Sequence, residues 1–324
     1  MQATLESKPG LSRYKGLAMA FIGAALWGIS GAAAQVLFQD LGIRPGWLVT
    51  VRLLLAGGLL LAIGLLGPNR QAVFRIWKEP ADRKQLIIFS LFGMLGAQYT
   101  YFAVIEAGNA ATATLLQFLG PVFITVYLAL RLLKLPSIQE FLALALACAG
   151  MFLLVTNGSI KELSISTSAV LWGLGAAATA AFYTLYPKRL LQRWNSIVVV
   201  GWGMLIGGIG LLFINPPWQI ATGQLSFYTL SLIGFVILFG TLIPFTLYIE
   251  SLRYISPGEA GMLNSAEPLS AVVVSVIWLQ VTFGLFEALG GLCIIATVLL
   301  LAYRPAKQVL SASERESRKQ KHGR

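Results

Sequence analysis

The sequence predicts an all-α integral membrane protein whose ten transmembrane helices form a 5+5 inverted-topology repeat, and three observations predict it. The first is composition: 57% of the 324 residues are hydrophobic, 11% are charged and the mean hydropathy is +0.76. A soluble domain needs roughly a quarter of its residues charged to cover its surface. Here the apolar residues fall in blocks of about 20, the length that crosses a hydrocarbon core of ~30 Å. The second is the placing of charge. On a ten-helix scheme one face of the membrane receives 21 of the 24 Lys and Arg, the other receives Arg44 and Lys161, and Arg52 lies inside a helix. The third is a match between the two halves of the chain at a shift of 147 residues.

The N-terminal segment, 1–15, is polar, carries Lys8, Arg13 and Lys15, and is expected to be loose as far as Tyr14. The first predicted helix, 16–37, holds Trp27-Gly28 near its middle and spaces Ala24, Gly28 and Ala32 so that another helix can approach closely. The second, 46–66, contains Arg52 two turns from its start. The third, 86–105, places Gln98 and Tyr101 on one face. The fourth, 110–130, has Gln117 one turn before Pro121, and the fifth, 138–156, contains Cys148. The sixth, 168–187, carries Trp172, with Tyr183 and Tyr186 near its end, where anchoring at the membrane interface is expected. The seventh, 196–214, has Gly203 and Gly207 in a G-x-x-x-G pattern, and the eighth, 227–249, ends near Tyr248. The ninth, 258–279, contains Asn264, Glu267 and Pro268; the tenth, 284–303, contains Cys293, and a basic tail, 304–324, completes the chain.

Excess positive charge marks cytoplasmic loops. Both ends are therefore expected in the cytoplasm, with the chain crossing the cell (plasma or inner) membrane an even number of times. The same asymmetry accounts for the net charge of +11 without a nucleic-acid partner. Membrane lipid is a partner by composition, and the basic tail could also touch anionic headgroups. Neither cysteine has a metal-ligand neighbour, and the only histidine, His322, is in the tail. No metal and no cofactor are expected.

At the 147-residue shift Gly93 meets Gly240, Tyr101 meets Tyr248, Ala113 meets Ala260, Leu116 meets Leu263, Pro121 meets Pro268 and Glu140 meets Glu287. At a slightly smaller shift Trp27-Gly28 meets Trp172-Gly173. Five helices is an odd number, so the second half (168–303) enters from the side opposite to the first (16–156). Such inverted repeats are a common build of secondary transporters, with the site near the midplane between halves.

The stretch Leu252-Arg253-Tyr254-Ile255-Ser256-Pro257-Gly258-Glu259-Ala260, then Asn264-Ser265-Ala266-Glu267-Pro268-Leu269, has its counterpart in Ala110-Ala111-Thr112-Ala113, Leu116-Gln117 and Pro121. With Trp27-Gly28 and the duplication, about residues 16–303 resemble the EamA-type carriers of the drug/metabolite transporter superfamily. The resemblance implies that helices 1–4 and 6–9 surround a central cavity while helices 5 and 10 are peripheral. It also implies transport, often outward, of amino acids or their derivatives, nucleosides or other small metabolites.

Glu267 is the sharpest candidate. A charge near the bilayer centre costs ~2.5–3.5 kcal/mol, so the group must face protein or water or stay protonated. It could couple to H⁺ or Na⁺, balance a substrate ammonium, or bond a neighbouring helix. Arg52 could bind a substrate carboxylate, pair with Glu267 or snorkel outward. Asn264 and Gln117 occupy equivalent places in the two halves and could bond a solute or cross-link helices. Gln98, Tyr101, Tyr248, Trp27 and Trp172 complete the candidate substrate-binding set, with aromatic walls that suit a cationic or apolar solute. Pro121 and Pro268 are candidate hinges, since proline removes a helical hydrogen bond.

These features predict a secondary transporter of a small organic solute working by alternating access. A facilitator, channel or lipid flippase on the same fold is the alternative. An enzyme is the weaker reading, because intramembrane chemistry needs paired carboxylates, a His/Cys cluster or an activated nucleophile. No phosphate-binding G-x-x-x-x-G-K-[ST] loop is present. A homodimer is left open.

Overall fold

The computed structural model describes residues 11–67, 70–133, 137–159, 164–220, 225–255 and 257–302. Residues 1–10 of the N-terminal segment, the basic tail, Lys134, Lys161, Ser256 and His322 lie outside the described residues. All regular structure among the described residues is helical.

Besides short helical turns, ten apolar helices, two of them interrupted, succeed one another among the described residues. They are α1 (Leu11–Gln39), α2 (Pro45–Leu66), α3 (Pro80–Ala107), α4 (Ala110–Gln117 and Gly120–Leu132) and α5 (Ile138–Thr156). Then come α6 (Thr167–Leu185), α7 (Ser196–Leu212), α8 (Phe227–Ser251), α9 (Pro257–Leu263 and Ala266–Ile277) and α10 (Leu285–Ala302). Eight of them are long and apolar enough to cross a membrane; α7 and α10 are apolar but shorter. At ~1.5 Å per residue the 17-residue α7 reaches about 25 Å. The outer surface is apolar: Phe92, Leu130, Phe141, Leu171, Ile277 and Leu292 are all exposed. Lipid is the solvent that such a surface suits, and the protein is a multi-pass membrane protein.

Helix starts obey ordinary capping chemistry. The side chains of Asn109, Ser137, Ser166, Asn195 and Ser226 each accept a backbone N–H in the first turn of α4, α5, α6, α7 and α8. Glu140 closes a capping box with Ser137 on α5, and Glu287 accepts from Gly284 N–H at 2.8 Å at the start of α10. The repeat match between these two glutamates is thus a match of helix caps. α1 begins at Leu11, inside the stretch expected to be loose, and Arg13 pairs with Glu259 at 2.7 Å.

α2 packs on α7, α5 on α10, α1 on α9 and α8, and α6 on α4 and α3. Each of these pairings has its counterpart five helices along the chain. Close approach is glycine work. A Cβ at Gly28 would collide with the Glu267 carbonyl and the Ser270 hydroxyl of α9, and Gly150 of α5 faces Gly290 of α10 backbone to backbone. Gly203 and Gly207 turn towards α3, against Phe89 and Leu95, while Gly57 and Gly208 make the α2–α7 contact. Buried Asp82 joins the start of α3 to the link after α6, accepting from Arg193 and from Trp194 Nε1 at 2.8 Å. Cys148 and Cys293 are free thiols.

Candidate functional site

A cavity of about 630 Å³ lies among the helices, lined from α1, α2, α3, α4, α6, α7, α8, α9 and α10. α5 contributes nothing to it. α10 contributes Val298 and Leu301, so the expected peripheral place of helix 10 holds except at this edge.

Local breaks in the helices shape this space. α4 is interrupted at Phe118–Leu119 and α9 at Asn264–Ser265, and in each break the backbone tightens to i→i+3 hydrogen bonds: Val122 N–H to Leu119 O at 2.9 Å, Glu267 N–H to Asn264 O at 3.0 Å. Pro121 and Pro268 stand in the first turn of the next segment, where a missing N–H leaves nothing unpaired. Pro121 lines the cavity; Pro268 is buried behind it. α3 and α8 each contain a π-helical stretch, Phe89–Leu95 and Leu238–Leu242, in equivalent places of the two halves. Such wider turns are uncommon and concentrate at functional sites.

Eight of the nine candidate substrate residues meet in the cavity: Trp27, Arg52, Gln98, Tyr101, Gln117, Tyr248, Asn264 and Glu267. Glu267 stands one turn from Asn264, whose Oδ1 is buried without a hydrogen-bond partner. Trp27 and Tyr248 pair with ring centroids 5.6 Å apart. Tyr101 turns its hydroxyl to Thr114 at 3.0 Å. Arg52 does not snorkel: it is 5% exposed, donates from Nη2 to the Gly240 carbonyl at 2.7 Å and from Nε to the Thr241 hydroxyl, and lies over the Phe102 ring at 5.1 Å. Among the described residues no ion pair joins it to Glu267.

Trp172 is the exception. It is 39% exposed and packs edge-on against Tyr99, centroids 5.7 Å apart. Its repeat mate Trp27 reaches Tyr248, but the equivalent Tyr101 is turned inward to Thr114, so the matching ring contact does not form. Tyr183, expected as an interfacial anchor, lines the cavity with its ring 5.5 Å from Phe89, whereas Tyr186 stacks on Phe182. Thr241 and Phe245 carry no motif that singles them out, yet they fall at the 147-residue shift from Met94 and Gln98, and all four line the cavity. Tracing the repeat one and two turns back from Tyr248 would have found them.

The cavity extends to Thr184, Gly261 and Leu301, towards the end where α1 begins. At the other end two glutamines on α1 tie down the α3–α4 corner. Gln39 Nε2 donates to the carbonyls of Ile105 (3.0 Å) and Gly108 (2.7 Å), Gln35 Nε2 donates to Gln39 Oε1, and Gln35 Oε1 accepts from Ala110 N–H at 2.9 Å. Gln35 and Gln39 also line a second, smaller cavity of about 280 Å³ with Asp40, Tyr228 and Trp278.

Comparison with known proteins agrees with this architecture. The model of the EamA-like transporter family matches twice, over residues 14–156 and 167–303. The uncharacterized inner membrane transporter YicL of Salmonella typhimurium is 36% identical over 304 residues, 93% of this chain and 99% of that protein. The threonine/homoserine exporter RhtA of Salmonella typhimurium is 27% identical over 277 residues, 84% of each chain. A crystal structure of a protein with 17% identity superposes with a TM-score of 0.58, covering 89% of this chain and 96% of that one, a likeness of fold alone. With both stretches matched and a full-length relative at this identity, the chain belongs to the EamA-like transporter family.

Proposed function

We propose that the chain is a secondary carrier of a small, amine-bearing organic solute. It works by alternating access between two oppositely oriented five-helix halves, 16–156 and 168–303, with both ends in the cytoplasm. The observation that carries the reading is a carboxylate on the cavity wall, Glu267, that no ion pair neutralises among the described residues. The Glu267 carboxylate and the unpartnered Oδ1 of Asn264 stand one turn apart, while Arg52 already spends two of its donors on α8. A ligand that satisfies those acceptors must bring N–H or O–H donors of its own, and an ammonium does so with a positive charge that balances the carboxylate. Trp27 and Tyr248 add faces suited to a cation. Export of threonine and homoserine, both amines, is the printed activity of RhtA, which supports this substrate class. The matched helix pairings and paired helix breaks support the two-half mechanism, in which all ten helices cross the bilayer.

The test is counterflow in proteoliposomes with labelled threonine, homoserine and simple amines. Saturable uptake driven by unlabelled solute inside is expected. Glu267→Gln should abolish it, or leave a flux that no longer depends on pH. Uptake that rises linearly with concentration, or a Glu267→Gln protein with normal pH-dependent transport, would refute the reading.

A further inference from the structure

Arg52 is a buried cation whose partners lie in one place on α8. A π-helical turn holds one residue more than an α-turn, so it leaves a carbonyl without its i+4 donor and rotates the residues beyond it by about 100°. In α8 that turn is Leu238–Leu242, and the residue four beyond Gly240 is Pro244, so the Gly240 carbonyl has no backbone N–H to meet at i+4. Arg52 Nη2 caps the Gly240 carbonyl there at 2.7 Å, and Nε bonds the Thr241 hydroxyl, which itself donates back to Val236 O, five residues earlier, at 3.4 Å. Phe102 covers the guanidinium with its ring. A Cβ at Gly240 would strike Ser30 of α1, so the same turn also abuts the helix that carries Trp27. Among the described residues the equivalent turn in α3 has no such partner: the position 147 residues after Arg52 is buried Val199.

We propose that Arg52 is a positioning residue, a clamp that holds the π-turn of α8 in register so that Thr241, Phe245 and Tyr248 face the cavity, and that it is not the receptor for a solute carboxylate. A guanidinium suits this work because its fork can serve a carbonyl and a hydroxyl together, and a buried one persists only where its donors are met. Its effect on transport rests on the cavity being the solute site proposed above. The clamp itself does not, so its test is read without a solute as well as with one.

Full-length Arg52→Gln, Arg52→Lys, Thr241→Val and the double variant Arg52→Gln/Thr241→Val are compared with the parent in lipid nanodiscs by amide hydrogen exchange. Arg52→Gln and Thr241→Val are each expected to speed exchange over residues 238–248 by about tenfold, as loss of a hydrogen bond to a charged group does. The double variant should go little further than either single change, because both break one unit. Arg52→Lys should fall between. Exchange in the π-turn of α3 should not move. Unchanged exchange in α8, or additive effects, would overturn the clamp. In proteoliposomes Arg52→Gln should raise KM alike for threonine and threoninol, which differ in the carboxylate; a loss confined to threonine with α8 unchanged would also overturn it. The milder Thr241→Val keeps the test open if Arg52→Gln fails to insert. Failure here with loss of transport in Glu267→Gln leaves the solute site standing; the converse leaves the clamp standing.

Discussion

At the scale of single residues, Gly28 and Glu267 belong together. The carboxylate is legible in the sequence because a lone acid in an apolar span must be sheltered. Its setting is not, since nothing in the sequence says that Gly28 of α1 rests on the carbonyl of that same residue. Even a methyl at Gly28 would lie 2.8 Å from Ala271 N and closer still to the Glu267 carbonyl. Gly28→Ala should therefore push α9 away from α1 at a cost of about 1–3 kcal/mol, with loss of transport. Gly58→Ala, at a glycine with nothing within 4 Å, should leave thermal stability and transport unchanged. A thermal-shift series with transport assays decides; equal behaviour of the two would mean the contact has no weight. Trp172 shows where reading by repeat fails. Two residues can be mates in sequence while only one faces the cavity, because a single turned ring, Tyr101, breaks the symmetry. Tyr183 departs from expectation for another reason: nearness to a helix end is not nearness to the interface where the cavity reaches that depth.

At the scale of elements, the prolines announce the breaks in α4 and α9, while the π-turn of α3 leaves no mark in the sequence and that of α8 leaves only Pro244, two residues beyond it. Proline has a backbone signature that any sequence displays. A π-turn has none: it is held by tertiary partners such as Arg52, which lie far away in the chain. Where Asn or Ser caps mark them, as in α4, α5 and α7, helix starts match the sequence reading, whereas the uncapped third helix begins at Pro80, ahead of the expected 86. Pro268 is held where its missing N–H costs nothing, so Pro268→Ala should alter thermal stability by less than about 1 kcal/mol. It should nevertheless slow turnover several-fold by letting α9 run on as a continuous helix through Asn264–Ser265, on the proposal that this break works as a hinge. Unaltered turnover with unaltered stability would show the break to be static.

At the scale of the whole molecule, ten apolar blocks, their order and their pairing by halves are open to inspection in the sequence, because lipid leaves a chain few choices. Which end of the helix assembly is braced is not, since that depends on hydrogen bonds between Gln35, Gln39 and the backbone of a distant corner. The equivalent stretch of α6 offers Ala180 and Thr184, both on the cavity, so the tie exists in one half alone. Replacing both glutamines (Gln35→Leu with Gln39→Leu) should shift the protein towards opening at that end. In a background of Cys148→Ser and Cys293→Ser, a Thr114→Cys thiol should then react faster with an impermeant reagent added from that side. Unchanged reactivity would show that the glutamines only brace the corner.

The tie between α1 and the α3–α4 corner is built from amides and carbonyls, with no charged group among its bonds. An electric field across the bilayer does work only on net charge that moves through it, about 2.3 kcal/mol per charge per 100 mV. Making and breaking this tie should accordingly be indifferent to membrane voltage; an electrogenic step needs net charge that moves, which in the cavity means Glu267, Arg52 or a charged solute.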